Sequence, residues 1–135
     1  MPSFLDTNVL VYAFDRSESA KRVAALELLA DPDADFVTSA QVLSEFYVTT
    51  TRKLDPPLHH AAALEAIEYL RRLPIVAVDD RLVVAAVDTA NAEALSLWDA
   101  QIVAAAARAG CREVITEDLN NGQVIAGVEI RNPFV

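Results

Sequence analysis

Cysteine occurs once in the 135 residues, at Cys111. A lone thiol excludes an intramolecular disulfide and any multi-cysteine metal site. Glycine is nearly as scarce, with three residues, Gly110, Gly122 and Gly127, all late in the chain. That leaves no material for a Gly-rich phosphate loop. The two histidines, His59 and His60, stand together after Pro57 with no acidic partner at a useful spacing. They predict an exposed pair, and no nucleophile elbow accompanies them to suggest Ser-His-Asp or Cys-His catalysis. No uninterrupted apolar run approaches the ~18 residues of a membrane helix. The opening Met1-Pro2-Ser3-Phe4-Leu5-Asp6 lacks the basic-then-apolar order of a signal peptide, so the expectation is a cytoplasmic chain.

Positive charge is short as well. Eleven Lys and Arg face 20 Asp and Glu, a formal net charge of −9. Such a chain makes a poor footprint for holding nucleic acid by charge alone, because phosphate contacts need cations. A nuclease is not excluded by this balance. Clustered carboxylates bind divalent cations, and those cations attract phosphate.

What is present is apolar residue in quantity, 53% of the chain. The length fits one compact domain over residues 1–135. Phe4-Leu5 opens a short apolar segment that stops at Asp6, and the run Val9 to Phe14 reads as a short helix. Ser17 to Ala30 reads as a helix with Val23, Leu26 and Ala30 on one face. Phe36-Val37-Thr38 predicts a strand and Ser39 the N-cap of a helix over about 40–53 that buries Val42, Leu43, Phe46 and Tyr47. A further helix over about 58–73 carries Leu64, Ile67 and Leu70 at the helical period.

Ile75 to Val78 predicts a buried strand, followed by a helix over about 81–94 with Leu82, Val83, Ala86 and Val87. Ser96 has the position of an N-cap with Asp99 three residues on, as in a capping box. The Ala-rich helix behind it ends at Gly110. Val114-Ile115-Thr116 predicts a strand, Asn120-Asn121-Gly122 a turn, and Val128-Glu129-Ile130 a final edge strand. Short apolar strands alternating with helices predict an α/β fold, a mainly parallel central sheet flanked by helices.

In such sheets, sites form beyond the carboxyl ends of the strands. Asp6, Asp79 with Asp80, and Glu117 with Asp118 stand at such ends. Carboxylates there are partly desolvated and repel one another unless a cation sits among them. Each also has a plain structural reading as a loop or cap acid. Asp79 and Asp80 suit that reading, since a helix starts directly after them. Glu45 lies at the edge of its helix's apolar face, where it is either a boundary residue or aimed at something that offsets its charge. Asp99, in a helix's first turn, is favoured by the helix dipole and reads on physical grounds as a capping acid.

Four blocks occur in order: Phe4-Leu5-Asp6-Thr7-Asn8-Val9-Leu10-Val11-Tyr12, Ser39-Ala40-Gln41-Val42-Leu43-Ser44-Glu45-Phe46, Leu97-Trp98-Asp99-Ala100-Gln101-Ile102-Val103-Ala104-Ala105-Ala106, and Thr116-Glu117-Asp118-Leu119. Together they resemble the PIN-domain family, and within it the VapC-like ribonuclease toxins of type II toxin–antitoxin pairs. The likeness extends from about Ser3 to the closing Asn132-Pro133-Phe134. It implies a single PIN-like domain and a metal-dependent endoribonuclease. By motif, Asp6, Glu45, Asp99 and Asp118 take the places of the four catalytic, metal-binding acids. The resemblance thus sets aside the capping role as Asp99's main one. Thr7, Asn8, Thr116 and Glu117 fall in the same segments as supporting residues.

The implied cofactor is Mg2+ or Mn2+, held by oxygen ligands as one or two ions. The implied partners are an RNA substrate, a small antitoxin protein whose C-terminal segment covers the acidic site, and a second copy in a homodimer. Arg52 and Lys53, ending the helix of Glu45, are candidates for RNA contact or simply favourable helix-end cations. Leu10, Tyr12 and Tyr47 are candidates for an apolar antitoxin groove or for core. Rival readings are a non-catalytic PIN-like binding domain and a metal-dependent phosphatase. A phosphoacceptor receiver domain would need a lysine near the last strands, and none follows Lys53.

Overall fold

The computed structural model describes residues 1–135. Its strands are β1 (Ser3–Leu5), β2 (Phe36–Ser39), β3 (Ile75–Val76), β4 (Glu113–Ile115), β5 (Val124–Ile125) and β6 (Val128–Arg131). Helices α1 (Thr7–Tyr12) and α2 (Ser19–Leu29) join β1 to β2, and α3 (Ala40–Arg52) and α4 (His60–Leu70) join β2 to β3. Helices α5 (Asp80–Glu93) and α6 (Leu97–Arg108) lead back to β4. The strands form one six-stranded sheet in the order β3-β2-β1-β4-β6-β5. All neighbours are parallel except β5 with β6.

That order places the functional end of the sheet. The chain moves outward from β1 through β2 to β3, then returns to pair β4 on the other side of β1. Direction therefore reverses between β1 and β4, whose register sets Leu5 opposite Ile115. Residues just past both strands, Asp6 and Thr116, face one crevice at this switch point.

Local chemistry starts the helices. Ser39 accepts from the Val42 N–H, Asp79 from Leu82 and Ser96 from Asp99, each through its side chain. Asp79 also pairs with Arg108 at 3.0 Å, and its bond from Leu82 and then this guanidinium hold its carboxyl below the usual range. Gly110 supplies the positive φ of 71° that ends α6. Helix α6 is buried on every side from Ala100 to Ala106. Alanine is what permits this, since small side chains let α6 lie close to β2, β4 and β6 while α5 packs over it. Within that apolar helix Gln101 is 5% exposed, and a buried amide must find partners. Burial likewise pushes the Cys111 thiol up to about 11, which leaves it an inert core residue.

Glu113 accepts from Ser3 Oγ at 2.6 Å and from Arg131 Nη1 at 3.1 Å, tying β1, β4 and β6 together.

Several expectations need correction. On α2 the buried residue is Ala25, while Val23 and Leu26 are exposed, because only a narrow strip of this helix meets the body. On α3 the fully buried side chains are Val42, Phe46 and Thr50, with Leu43 and Tyr47 at the margin. Leu64 and Val87 also face outward. Strand β3 is a half-buried sheet edge and not a buried strand. Conversely, β6 is internal, parallel to β4, with Val128 and Ile130 buried. The edge beside it is β5, which turns back through Ala126 and Gly127, both at positive φ (51° and 78°). A two-residue turn of that kind is usually marked by Asn-Gly, and alanine in its first place hides the hairpin from sequence reading.

Candidate active site

Asp6 directly follows strand β1, and its extended backbone makes it the N-cap of α1. Its carboxylate is 5% exposed and fully engaged. Oδ1 accepts from the Thr7 N–H at 2.7 Å and Oδ2 from the Thr116 hydroxyl at 2.8 Å. Thr116 is wholly buried, and its single oxygen also accepts from Asn8 Nδ2 at 3.0 Å and from the Asp118 N–H at 3.1 Å. One hydroxyl therefore uses its donor and both acceptor sites to join the loop after β4 to Asp6. Asn8 completes the bridge, donating to Asp118 Oδ2 at 3.0 Å and accepting from the Glu117 N–H at 3.3 Å.

Replacing Thr116 by Val keeps the shape and removes all three bonds. The expected cost is ~1–3 kcal/mol, the penalty for leaving buried polar groups without partners. A urea denaturation curve checks it, and an unchanged midpoint would show that the hydroxyl holds nothing.

Glu45 reaches the crevice from α3. Its Oε2 accepts from Thr7 Oγ1 at 2.9 Å and its Oε1 from Gln41 Nε2 at 3.0 Å. Asp99 enters from the first turn of α6, its backbone N–H spent on Ser96 Oγ at 3.1 Å. The half-buried Asp99 carboxylate is displaced upward by burial first and by the charges of Asp118 and Glu45 next. Asp6 is raised to about 6, again chiefly by burial, opposed by its two hydrogen bonds and reinforced by Asp118 and Glu45. Asp118 and Glu45 thus act on both Asp6 and Asp99 across the crevice.

No lysine or arginine lies within hydrogen-bond reach of these four side chains. The donors are oxygens only and carry excess negative charge, which suits a hard divalent cation in chemistry. Spacing is less complete, since no three of the acids stand close enough together to ligate one ion at once. Thr7 and Gln41 hold Glu45, and Thr116 and Asn8 hold Asp6 and Asp118, in the manner of residues that orient metal ligands.

The structure separates other candidates. Glu117 turns its carboxylate away from the acids, taking the Tyr12 hydroxyl on Oε1 and Lys21 Nζ on Oε2 at 3.0 Å. Lys21 in turn lies 4.9 Å from the Tyr12 ring centroid, and both its charge and that of Glu117 are settled at the crevice edge. A cleft of about 640 Å³ runs from Asp118, Glu45 and Thr7 along α1 and α3 to Lys53 and Leu54. Lys53 is the one cation lining it, and Arg52 points elsewhere. Leu10 lines a second, apolar groove of about 690 Å³ with Phe14, Leu26, Leu29, Tyr69 and Leu73. Tyr12 belongs to the acidic cleft instead, and Tyr47 to neither, bonding His60 Nδ1 at 2.9 Å. Sequence reading missed Gln41 and Gln101, whose only signal is an amide in the first turn of α3 and another on the otherwise apolar α6.

Comparison with known proteins accords with this geometry. The family model for the PIN domain matches residues 3–124. VapC20 of Mycobacterium tuberculosis, described as a sarcin-ricin loop cleaving toxin, is 22% identical, with a TM-score of 0.68 over 83% of this chain and 86% of that chain. A toxin–antitoxin complex from Klebsiella pneumoniae is 21% identical, with a TM-score of 0.73 over 97% of each chain. VapBC2 from Rickettsia felis, bound to a DNA fragment from its promoter, is 20% identical, with a TM-score of 0.66 over 98% of each chain. At such identities these structures share the fold. No curated protein matches the chain by sequence. With the family match spanning the blocks that contribute all four acids, the chain belongs to the PIN domain family.

Proposed function

We propose that this protein is an endoribonuclease dependent on Mg2+ or Mn2+ and acts as the toxin of a toxin–antitoxin pair. The observation that carries the reading is the meeting of Asp6, Glu45, Asp99 and Asp118 at the β1–β4 switch point, above a cleft that continues to Lys53. Asp6, Glu45, Asp99 and Asp118 are the oxygen donors that would hold divalent cations, no more than two of them on one ion as they now stand, and a bound cation would supply Lewis acidity toward the phosphodiester and a lowered pKa for water. Thr7, Asn8 and Thr116 keep the acids in place. Glu117 stays out of the ligand set, neutralised by Lys21.

A cleft extending past the acids favours a polymer over the small monoester of a phosphatase. Its acidity makes backbone recognition depend on few cations. Lys53→Ala is therefore expected to lower the salt slope of RNA binding by about 0.7, the value for one lost single-strand phosphate contact. Arg52→Ala should leave the slope unchanged, since Arg52 lies outside the cleft. Fluorescence anisotropy across a salt series reads both. An unaltered slope for Lys53→Ala would remove that contact from the reading.

The apolar groove between α1, α2 and α4 suits an amphipathic antitoxin helix, with Glu65 and Arg72 at its rim. The exposed Val84 and Val87, one turn apart on α5, offer apolar surface to a second copy in a homodimer. Support for the antitoxin partner comes from the toxin–antitoxin complexes among the structural neighbours. The deciding experiment incubates the protein with total bacterial RNA and with a small phosphate ester, each with Mn2+ and with chelator. Mn2+-dependent RNA fragments support the reading. Turnover of the ester alone, or of neither, overturns it.

A further inference from the structure

We propose that Gln41 is a positioning residue for this reaction, one that fixes the Glu45 carboxylate and is itself anchored to α6. The inference rests on the ribonuclease reading above and extends it to a residue outside the acidic set.

Glu45 sits one helical turn after Gln41, on the same face of α3. Surrounded by like charge, its flexible side chain has every electrostatic reason to swing toward water. Two donors oppose that motion: Thr7 Oγ1 on one oxygen and Gln41 Nε2 on the other. Gln41 spends its second amide hydrogen on the Trp98 carbonyl at 3.1 Å, the residue directly before Asp99. Its own oxygen accepts from Gln101 Nε2 at 2.7 Å.

The direction of this chain is dictated by chemistry. Glu45 and the Trp98 carbonyl are acceptors only, so the Gln41 amide must turn its NH2 toward them. Its oxygen is then left facing α6, and it is met there by the NH2 of Gln101, which is 5% exposed. No other orientation pairs every group. Gln41 is thus clamped at both ends by α6, and the clamp transmits the position of that buried helix to Glu45. A Met of similar length fills the same space and donates nothing.

Gln41→Met is expected to lower kcat and the affinity for Mn2+ alone by roughly tenfold each, with KM little changed and the melting temperature lowered by the loss of the Gln101 partner. Mn2+ affinity is read by electron paramagnetic resonance on the apoprotein. Placed on a Glu45→Gln background, Gln41→Met should produce no further loss of Mn2+ affinity, because it acts through Glu45. A residue with a merely structural role would weaken the site additively. Wild-type kcat and Mn2+ affinity in Gln41→Met, or an additive double variant, would overturn the proposal. Should Gln41→Met fail to fold, Gln41→Ser carries the same measurements. If Asp6→Asn and Glu45→Gln retain full cleavage and Mn2+ binding, the ribonuclease reading falls. If they lose both and Gln41→Met does not, this inference alone falls.

Discussion

Asp6→Asn is expected to abolish RNA cleavage and, at pH 7 in chelator, to make the fold more stable. The loss of cleavage follows from removing a charged donor at the centre of the acidic crevice. The gain in stability follows from the raised carboxyl, at about 6 against an ordinary 3.8. Folding binds this proton more tightly than the unfolded chain does. Stability contributed by the protonated form is therefore present at low pH and lost as pH rises from 3.8 through about 6. At pH 7 the whole penalty of the buried charge is in force, on the order of 3 kcal/mol at ~1.4 kcal/mol per pKa unit.

Asparagine carries no charge, but it cannot accept from both Thr7 and Thr116 with one oxygen. The net gain should accordingly be smaller, ~1–2 kcal/mol, or a rise of roughly 3–8 °C in melting temperature. Near pH 4 the advantage should vanish, because the wild-type carboxyl is then protonated. Thermal melts at the two pH values test the sign. A variant that melts lower at pH 7, or that still cleaves RNA, defeats the assignment of Asp6.

Removal of divalent cations should have an effect of equal size on activity and opposite sign on stability. Chelation is expected to stop cleavage completely, and Mn2+ to restore it. An ion that binds only the folded chain also stabilises it, by ~2.7 kcal/mol at a hundredfold excess over its dissociation constant. The stabilisation should grow as pH rises through about 6, since Asp6 must shed its proton before it can ligate, and Asp99 is shifted in the same direction. In Asp6→Asn most of this Mn2+-dependent rise should disappear. Cleavage that survives chelator would exclude the metal-dependent mechanism, whatever the fate of the melting curve.

Glu117 shows that a residue can join a motif's network through its backbone while its side chain is engaged elsewhere. It adjoins Asp118 in the chain, yet its carboxylate is drawn off by Lys21, 96 residues away. The aromatic rings of Tyr12 and Phe134, 5.0 Å apart, complete that contact. Gln41 shows the reverse. A polar residue in a helix's first turn looks unremarkable until α6 is packed beside it with one buried amide to satisfy.

From the chain alone one can read whatever is settled between near neighbours. The alternation of short apolar segments with helical periods predicts the parallel α/β sheet, and Ser39, Asp79 and Ser96 mark helix starts because a cap bonds within three residues. The four acids were legible through their blocks, and Asp6 and Asp118 through their place at strand ends as well. Contacts between distant segments were decided only by the strand order. Pairing β4 beside β1 puts Thr116 on Asp6 across 110 residues, and the same pairing lets Asn8 bridge to Asp118. It also makes β6 internal and leaves β5 at the edge. Hydrophobic periodicity says which face of a segment is buried, and it does not say which segment will lie against that face. The crevice, its mutual repulsion and the clamp on Glu45 all depend on that second choice.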